Sequence, residues 1–183
     1  MKRFAFGIAV VAALALGLHT SPVSAQRQGT ARLNLVEATV GDLLKAMQTK
    51  LITSEELVRM YLARIAAFDD AGPAVNGFIH VNANAIAEAR QNDIHRHPGL
   101  PRRPLEGIPV ALKDIIDTDD MPTTGGSLSL VGSVPPDDAF ITGKLREAGA
   151  IIIGKATLTE FANFIAIGMP AGYSSFGLYG FNP

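Results

Sequence analysis

The chain has 183 residues, of which 48% are hydrophobic and 18% charged, and its formal net charge is −1. That is the composition of a folded domain with a sizeable core, not of a disordered segment. It shows no basic excess that would point to nucleic acid, and the lack of cysteine excludes disulfides, thiolate metal sites and a cysteine nucleophile.

Residues 1–25 have the pattern of a secretory signal peptide. Lys2 and Arg3 make a positive start, residues 4–18 are an uncharged apolar run, and Val23-Ser24-Ala25 offers small residues at a cleavage point. The apolar run is short for a membrane span, which needs about 20 residues. An uncleaved N-terminal anchor is the alternative. The expected location is secreted or periplasmic, with no stable membrane association once the leader is cleaved. Cleavage would take the net charge from −1 to −3.

Residues 26–35 read as a polar linker, and a folded domain is expected over 36–183. Thr39, with Asp42 three residues on, caps a predicted helix over 40–48. Thr53 caps a second, with Glu56 completing a capping box. In that helix Leu57, Met60, Tyr61, Ile65 and Phe68 recur at helical spacing, so Met60 and the aromatics are expected in the core. Residues 69–73 carry turn formers. A strand is predicted over 77–82 and an alanine-rich helix over 83–93. His95 and His97 follow in a loop; with no third ligand nearby they make a poor metal site, and no metal or other cofactor is expected. Three prolines make 98–104 an irregular connection.

Gly107-Ile108-Pro109-Val110-Ala111-Leu112-Lys113-Asp114 reads as a short strand that delivers a lysine to its end. Ile108, Val110 and Leu112 share one face, while Pro109, Ala111 and Lys113 take the other. In a central strand Lys113 is desolvated, its pKa falls, and it can serve as a general base. On an edge strand it is a solvated charge paired with Asp114 or Asp117.

Residues 117–136 form a long loop containing Thr123-Thr124-Gly125-Gly126-Ser127. Here glycines let backbone amides approach a ligand, and Ser127 is a conceivable nucleophile for Lys113, although all five are also ordinary turn formers. Asp137 or Asp138 is expected to cap a helix running to 148, with Ile141, Leu145 and Ala148 on one face and Gly149 as its stop. Residues 150–153, all apolar, read as a strand buried on both faces. Gly149-Ala150-Ile151-Ile152-Ile153-Gly154-Lys155-Ala156 approximates a phosphate-binding loop. Ala156 lacks the required hydroxyl, however, and the isoleucines favour a strand, so Gly154-Lys155 is expected at a strand-to-helix turn. Thr157 or Thr159 opens a short helix around 160–164. Ser174-Ser175 is a second serine pair, without flanking glycines. Residues 168–183 show no clear period. Strands alternating with helices predict an α/β layered domain.

Taken in order, the lysine strand, the Thr-Thr-Gly-Gly-Ser loop, the segment from Asp138-Ala139 through Leu145-Arg146-Glu147-Ala148-Gly149-Ala150, and Gly154-Lys155 followed by Glu160-Phe161-Ala162 closely resemble the N-terminal part of the amidase signature family. The resemblance covers roughly residues 36–183. It implies an α/β/α layered fold, here incomplete, with N-terminal helices and a mixed sheet. It also implies hydrolysis of carbon–nitrogen bonds other than peptide bonds, in small-molecule amides, by a Ser–cis-Ser–Lys triad. The family's catalytic lysine matches Lys113. Both family serines, and the oxyanion hole, belong to a Gly- and Ser-rich segment downstream of the Asn-Pro that Asn182-Pro183 matches. The resemblance therefore gives Ser127 a structural or pocket-lining role, and residues 1–183 alone are not expected to turn over amides. A non-catalytic module that binds amides or a partner, and an amidotransferase subunit of the same family, are the alternatives.

Overall fold

A computed structural model describes residues 33–96 and 102–181. The expected leader, most of the linker, His97 and Asn182-Pro183 lie outside the described residues.

The first two helices form where local capping chemistry is complete. Helix α1, Val40–Gln48, is capped by Thr39, whose hydroxyl accepts from the Asp42 N–H while the Asp42 carboxylate takes the Thr39 N–H. Helix α2, Ser54–Phe68, repeats this with Thr53 and Glu56. Its first two N–H groups, on Ser54 and Glu55, donate to the Asp93 carboxylate, so a residue 39 positions beyond Ser54 finishes the cap. Strand β1, Phe78–Val81, and helix α3, Ala85–His95, follow. His95 therefore ends a helix and does not sit in a loop.

Strand β2, Pro109–Lys113, and strand β3, Ile151–Ala156, run parallel and are joined through helix α4, Phe140–Glu147. The sheet order is β1-β3-β2, with β1 antiparallel to β3. One face packs on α2 and α3 through Ile151, Ile153, Val58, Ala85 and Ala89. The other packs on α4 and the preceding loop through Ile152, Leu112, Met121 and Leu145. This is the expected three-layer arrangement around a mixed sheet. Helix α1 packs beneath it through Leu43, Met47, Leu57 and Ile108. Each such fully buried side chain contributes about 1.5–3 kcal/mol of transfer free energy.

Several local expectations are corrected. Strand β3 continues through Gly154 and Lys155, so these two residues lie inside the sheet and not at a turn. Gly154 suits that place because an added Cβ would sit 2.4 Å from the His80 carbonyl oxygen of the neighbouring strand. Helix α4 begins at Phe140 and has no side-chain cap. Asp138 is drawn away instead, accepting from the Asp119 N–H and from Arg146 Nε. Gly149 does stop the helix, at φ +91°, a conformation that favours glycine. Ile141 is exposed, not packed.

The helix expected around 160–164 is only a distorted 3-10 turn, Glu160–Asn163, in which Phe161, Ala162 and Asn163 all have positive φ. Tertiary ties hold this strain, since the Phe161 N–H donates to the Gly125 carbonyl at 2.8 Å. The stretch without period contains a hairpin of strands β4, Tyr173–Ser174, and β5, Leu178–Tyr179. The long loop carries a 3-10 turn at Leu128–Leu130.

Candidate active site

The parallel strands β2 and β3 end side by side, with Lys113 paired to Ala156 and Leu112 to Lys155. Three connecting segments converge there: the turn after Lys113, the Gly-rich loop over 123–127, and the segment over 157–177.

Asp114 organises this convergence. Its backbone N–H donates to the Ala156 carbonyl at 3.0 Å, so the chain stays in register one residue past the strand. Its carboxylate is fully buried, and Oδ2 accepts from the Thr124 N–H at 3.2 Å, the Gly126 N–H at 3.3 Å and the Thr124 hydroxyl. The Gly125 N–H donates to the Asp114 carbonyl at 2.8 Å. The Gly-rich loop is thus folded onto the residue that follows the lysine. Asp114 Oδ1 and His80 Nε2 are buried and have no hydrogen-bond partner among the described residues. Burial holds the His80 imidazole below its ordinary pKa, opposed by the Asp114 charge and reinforced by Lys155.

Lys113 stands at the carboxyl end of β2 as the sequence predicts. Ile108 and Leu112 are buried, and Ala111 and Lys113 exposed. The expectation of a desolvated Lys113 is not met within the described residues. The reason is topological: among the described residues β2 is an edge strand of the sheet, and Lys113 lies at its exposed end. Among the described residues neither Asp114 nor Asp117 makes an ion pair with it.

The amine that is fully buried belongs to Lys155. Its Nζ donates to the Ile116 carbonyl at 2.8 Å and to the Thr123 hydroxyl at 2.7 Å. Burial pushes its pKa down, while Asp114, Asp117, Asp120 and Asp138 pull it up. Sequence reading expects Lys155 at a strand-to-helix turn and so gives it no buried place; in the structure it lies inside β3. The register between β2 and β3 slips by one residue between Val110 and Ala111, so that Ile152 pairs with Val110 but Lys155 pairs with Leu112. The slip turns Lys155 onto the face covered by α4 and its loop. The usable signal was a lysine embedded in a strand with no polar face.

The candidate serines are occupied elsewhere. Ser127 is buried, and its hydroxyl shares a 2.9 Å hydrogen bond with that of Ser129. The Ser127 hydroxyl, with the Ser175 N–H and hydroxyl, holds the Glu160 carboxyl below its ordinary pKa. Ser174 is buried and accepts from the Gly177 N–H at 2.9 Å. None of the three contacts Lys113. Glu160 was also missed by sequence reading; it pins the third segment to the Gly-rich loop. No group of three or more metal-ligating side chains occurs among the described residues. A hollow of about 650 Å³ lies between α2 and one face of β2 and β3. It is lined by apolar residues such as Ile65, Phe68 and Ala111, and not by Lys113.

A family model described as Amidase matches residues 56–172, which span both strands, the Gly-rich loop and the Glu160 segment. The chain belongs to the amidase family. The chain is 41% identical over 155 residues to a probable amidase of Arabidopsis thaliana, covering 82% of this chain and 29% of that protein. It is 40% identical over 145 residues to a glutamyl-tRNA(Gln) amidotransferase subunit from Acidothermus cellulolyticus, covering 79% and 27%. The solved structure of a native peptide amidase from Stenotrophomonas maltophilia superposes with a TM-score of 0.76 at 42% identity, covering 79% and 29%. This amidase-family chain thus spans less than a third of the length of these relatives, and its fold is part of the amidase-signature fold.

Proposed function

We propose that this chain is the N-terminal part of an enzyme that hydrolyses carbon–nitrogen bonds in small-molecule amides, with Lys113 as its general base. The observation that supports this most directly is the position of Lys113. It ends β2 inside the family-matched region, and the next residue, Asp114, clamps the Gly-rich loop in place. A base must sit on a rigid element to be presented reproducibly to its partner.

In this reading, neutral Lys113 accepts a proton from a bridging serine, which takes it from the nucleophilic serine as that oxygen attacks the amide carbonyl. The amine leaves with a proton returned along the same path, and water releases the acyl group. Ser127, Ser174 and Ser175 supply neither serine, since their hydroxyls are tied into the loop network. Residues 33–181 alone are therefore not expected to turn over amides. Lys113 becomes desolvated when further chain covers the outer edge of β2, and burial then holds it neutral.

The enzyme is proposed to be secreted or periplasmic, from the charged start, apolar run and small-residue cleavage point of residues 1–25. Mass determination of the N-terminus of the exported protein tests this. The similarity to amidotransferase subunits favours a second reading, glutamine-dependent transfer within a complex.

The test uses the full-length protein and measures ammonia release from simple primary amides and from glutamine. Hydrolysis of primary amides, abolished in Lys113→Ala with the circular-dichroism spectrum preserved, is the expected result. Undiminished turnover by Lys113→Ala refutes the assignment. Glutaminase activity that appears only with a partner subunit favours the transferase.

A further inference from the structure

Lys155 has no part in the mechanism above, yet it is completely buried with no carboxylate in ion-pair contact among the described residues. Methionine or leucine would fill the same volume without the desolvation penalty of an amine, which reaches several kcal/mol for a buried ion. The bonds that the amine makes show what it supplies. Both go to the loop leaving β2: one to the Ile116 carbonyl and one to the Thr123 hydroxyl, the first side chain of the Gly-rich loop. The Ile116 N–H in turn donates to the Lys113 carbonyl at 2.9 Å. Hydrogen bonds from Lys155 to the Ile116 carbonyl and from the Ile116 N–H to Lys113 therefore link the two lysines through the backbone of Ile116. A second path reaches the same turn from Thr123, whose neighbour Thr124 is bound by the Asp114 carboxylate.

We infer that Lys155 is a positioning residue for Lys113, bracing the turn at 113–116 against the Gly-rich loop so that the Lys113 amine is presented from a fixed strand end. The inference rests on the proposed role of Lys113 as base. Without the brace, the turn after β2 keeps its backbone bonds, Ile116 N–H to Lys113 and Asp114 N–H to Ala156 of β3, but loses the side-chain tie that holds Ile116 and Thr123 to Lys155. A displacement of even about 1 Å at a reacting group lowers a rate by roughly 100-fold. The charged groups that face the Lys155 amine are Asp114, Asp117 and Asp120 from the loop, Asp138 from the approach to α4 and His80 from β1.

The experiment uses the full-length protein and a primary amide that it hydrolyses, comparing Lys155→Met, Thr123→Val and Thr123→Ser with Lys113→Ala. Lys155→Met is expected to lower kcat about 100-fold and Thr123→Val about 10-fold, with KM changed less than about threefold. Thr123→Ser, which keeps the hydroxyl, is expected to stay within about threefold of the parent. If Lys155→Met is not recovered folded, the Thr123 pair decides by the same readouts. Parental kcat and KM per folded molecule in Thr123→Val, with Lys113→Ala inactive, overturn the inference and leave the amidase reading standing. An active Lys113→Ala overturns both.

Discussion

Replacing Asp114 by alanine tests how the candidate site is held together. The carboxylate accepts from the Thr124 N–H, the Thr124 hydroxyl and the Gly126 N–H, all buried. The Gly126 N–H also reaches the Thr124 hydroxyl oxygen at 3.1 Å and keeps that partner, so two donors, both on Thr124, are orphaned. Each buried unsatisfied group costs about 1–3 kcal/mol, giving roughly 2–6 kcal/mol in all. Against this stands Asp114 Oδ1, buried without a partner among the described residues, whose removal returns part of its own desolvation penalty. The net loss should therefore fall in the lower part of that range, about 2–4 kcal/mol, a large share of a typical folding free energy of about 5–15 kcal/mol. Hydrogen exchange in the full-length protein is the assay. The Thr124 amide should lose protection by roughly 30- to 1000-fold, which is that free energy expressed as an opening constant. The Gly125 amide donates to the Asp114 backbone carbonyl, so it should lose less and serves as the internal reference. Unchanged protection at Thr124 would refute the claim that this carboxylate holds the loop.

Two further outcomes follow from the same geometry. Gly154→Ala places a methyl 2.4 Å from the His80 carbonyl oxygen, a backbone atom that can move only by parting β1 from β3. A loss of about 1–3 kcal/mol or more is expected, read as a lower thermal midpoint. His80, held by burial below its ordinary pKa of 6.5, is protonated more readily unfolded than folded. Its contribution to stability is thus complete above about pH 6.5 and falls away as pH drops through its lowered folded value. His80→Gln should flatten that acid-side slope in denaturant midpoints measured between pH 4 and pH 8, and an unchanged slope would exclude the effect.

What could be read from residues alone is whatever short-range chemistry decides. Thr39 with Asp42 and Thr53 with Glu56 announce their helices because a capping box closes within four residues. The Ile151–Ile153 run announces a doubly covered strand because no face of it is polar. Alternation along 107–113 places Lys113 at a strand end on the face opposite Ile108 and Leu112, and the ordered set of motifs points to the amidase family before any coordinates. Other features depend on distant partners. Asp138 fails as a cap because Arg146 and the Asp119 N–H claim its carboxylate. The run from Phe161 to Asn163 is not helical because Gly125 and the serines around Glu160 tie it down. Whether Lys113 is wet or dry depends on which strand lies beside β2, and sequence spacing carries no record of sheet order. The orientation of Lys155 is decided by a one-residue slip between two strands whose registering residues lie about forty positions apart. Helix caps are contacts between neighbours along the chain, whereas edge position, bulge and burial exist only once distant segments have met.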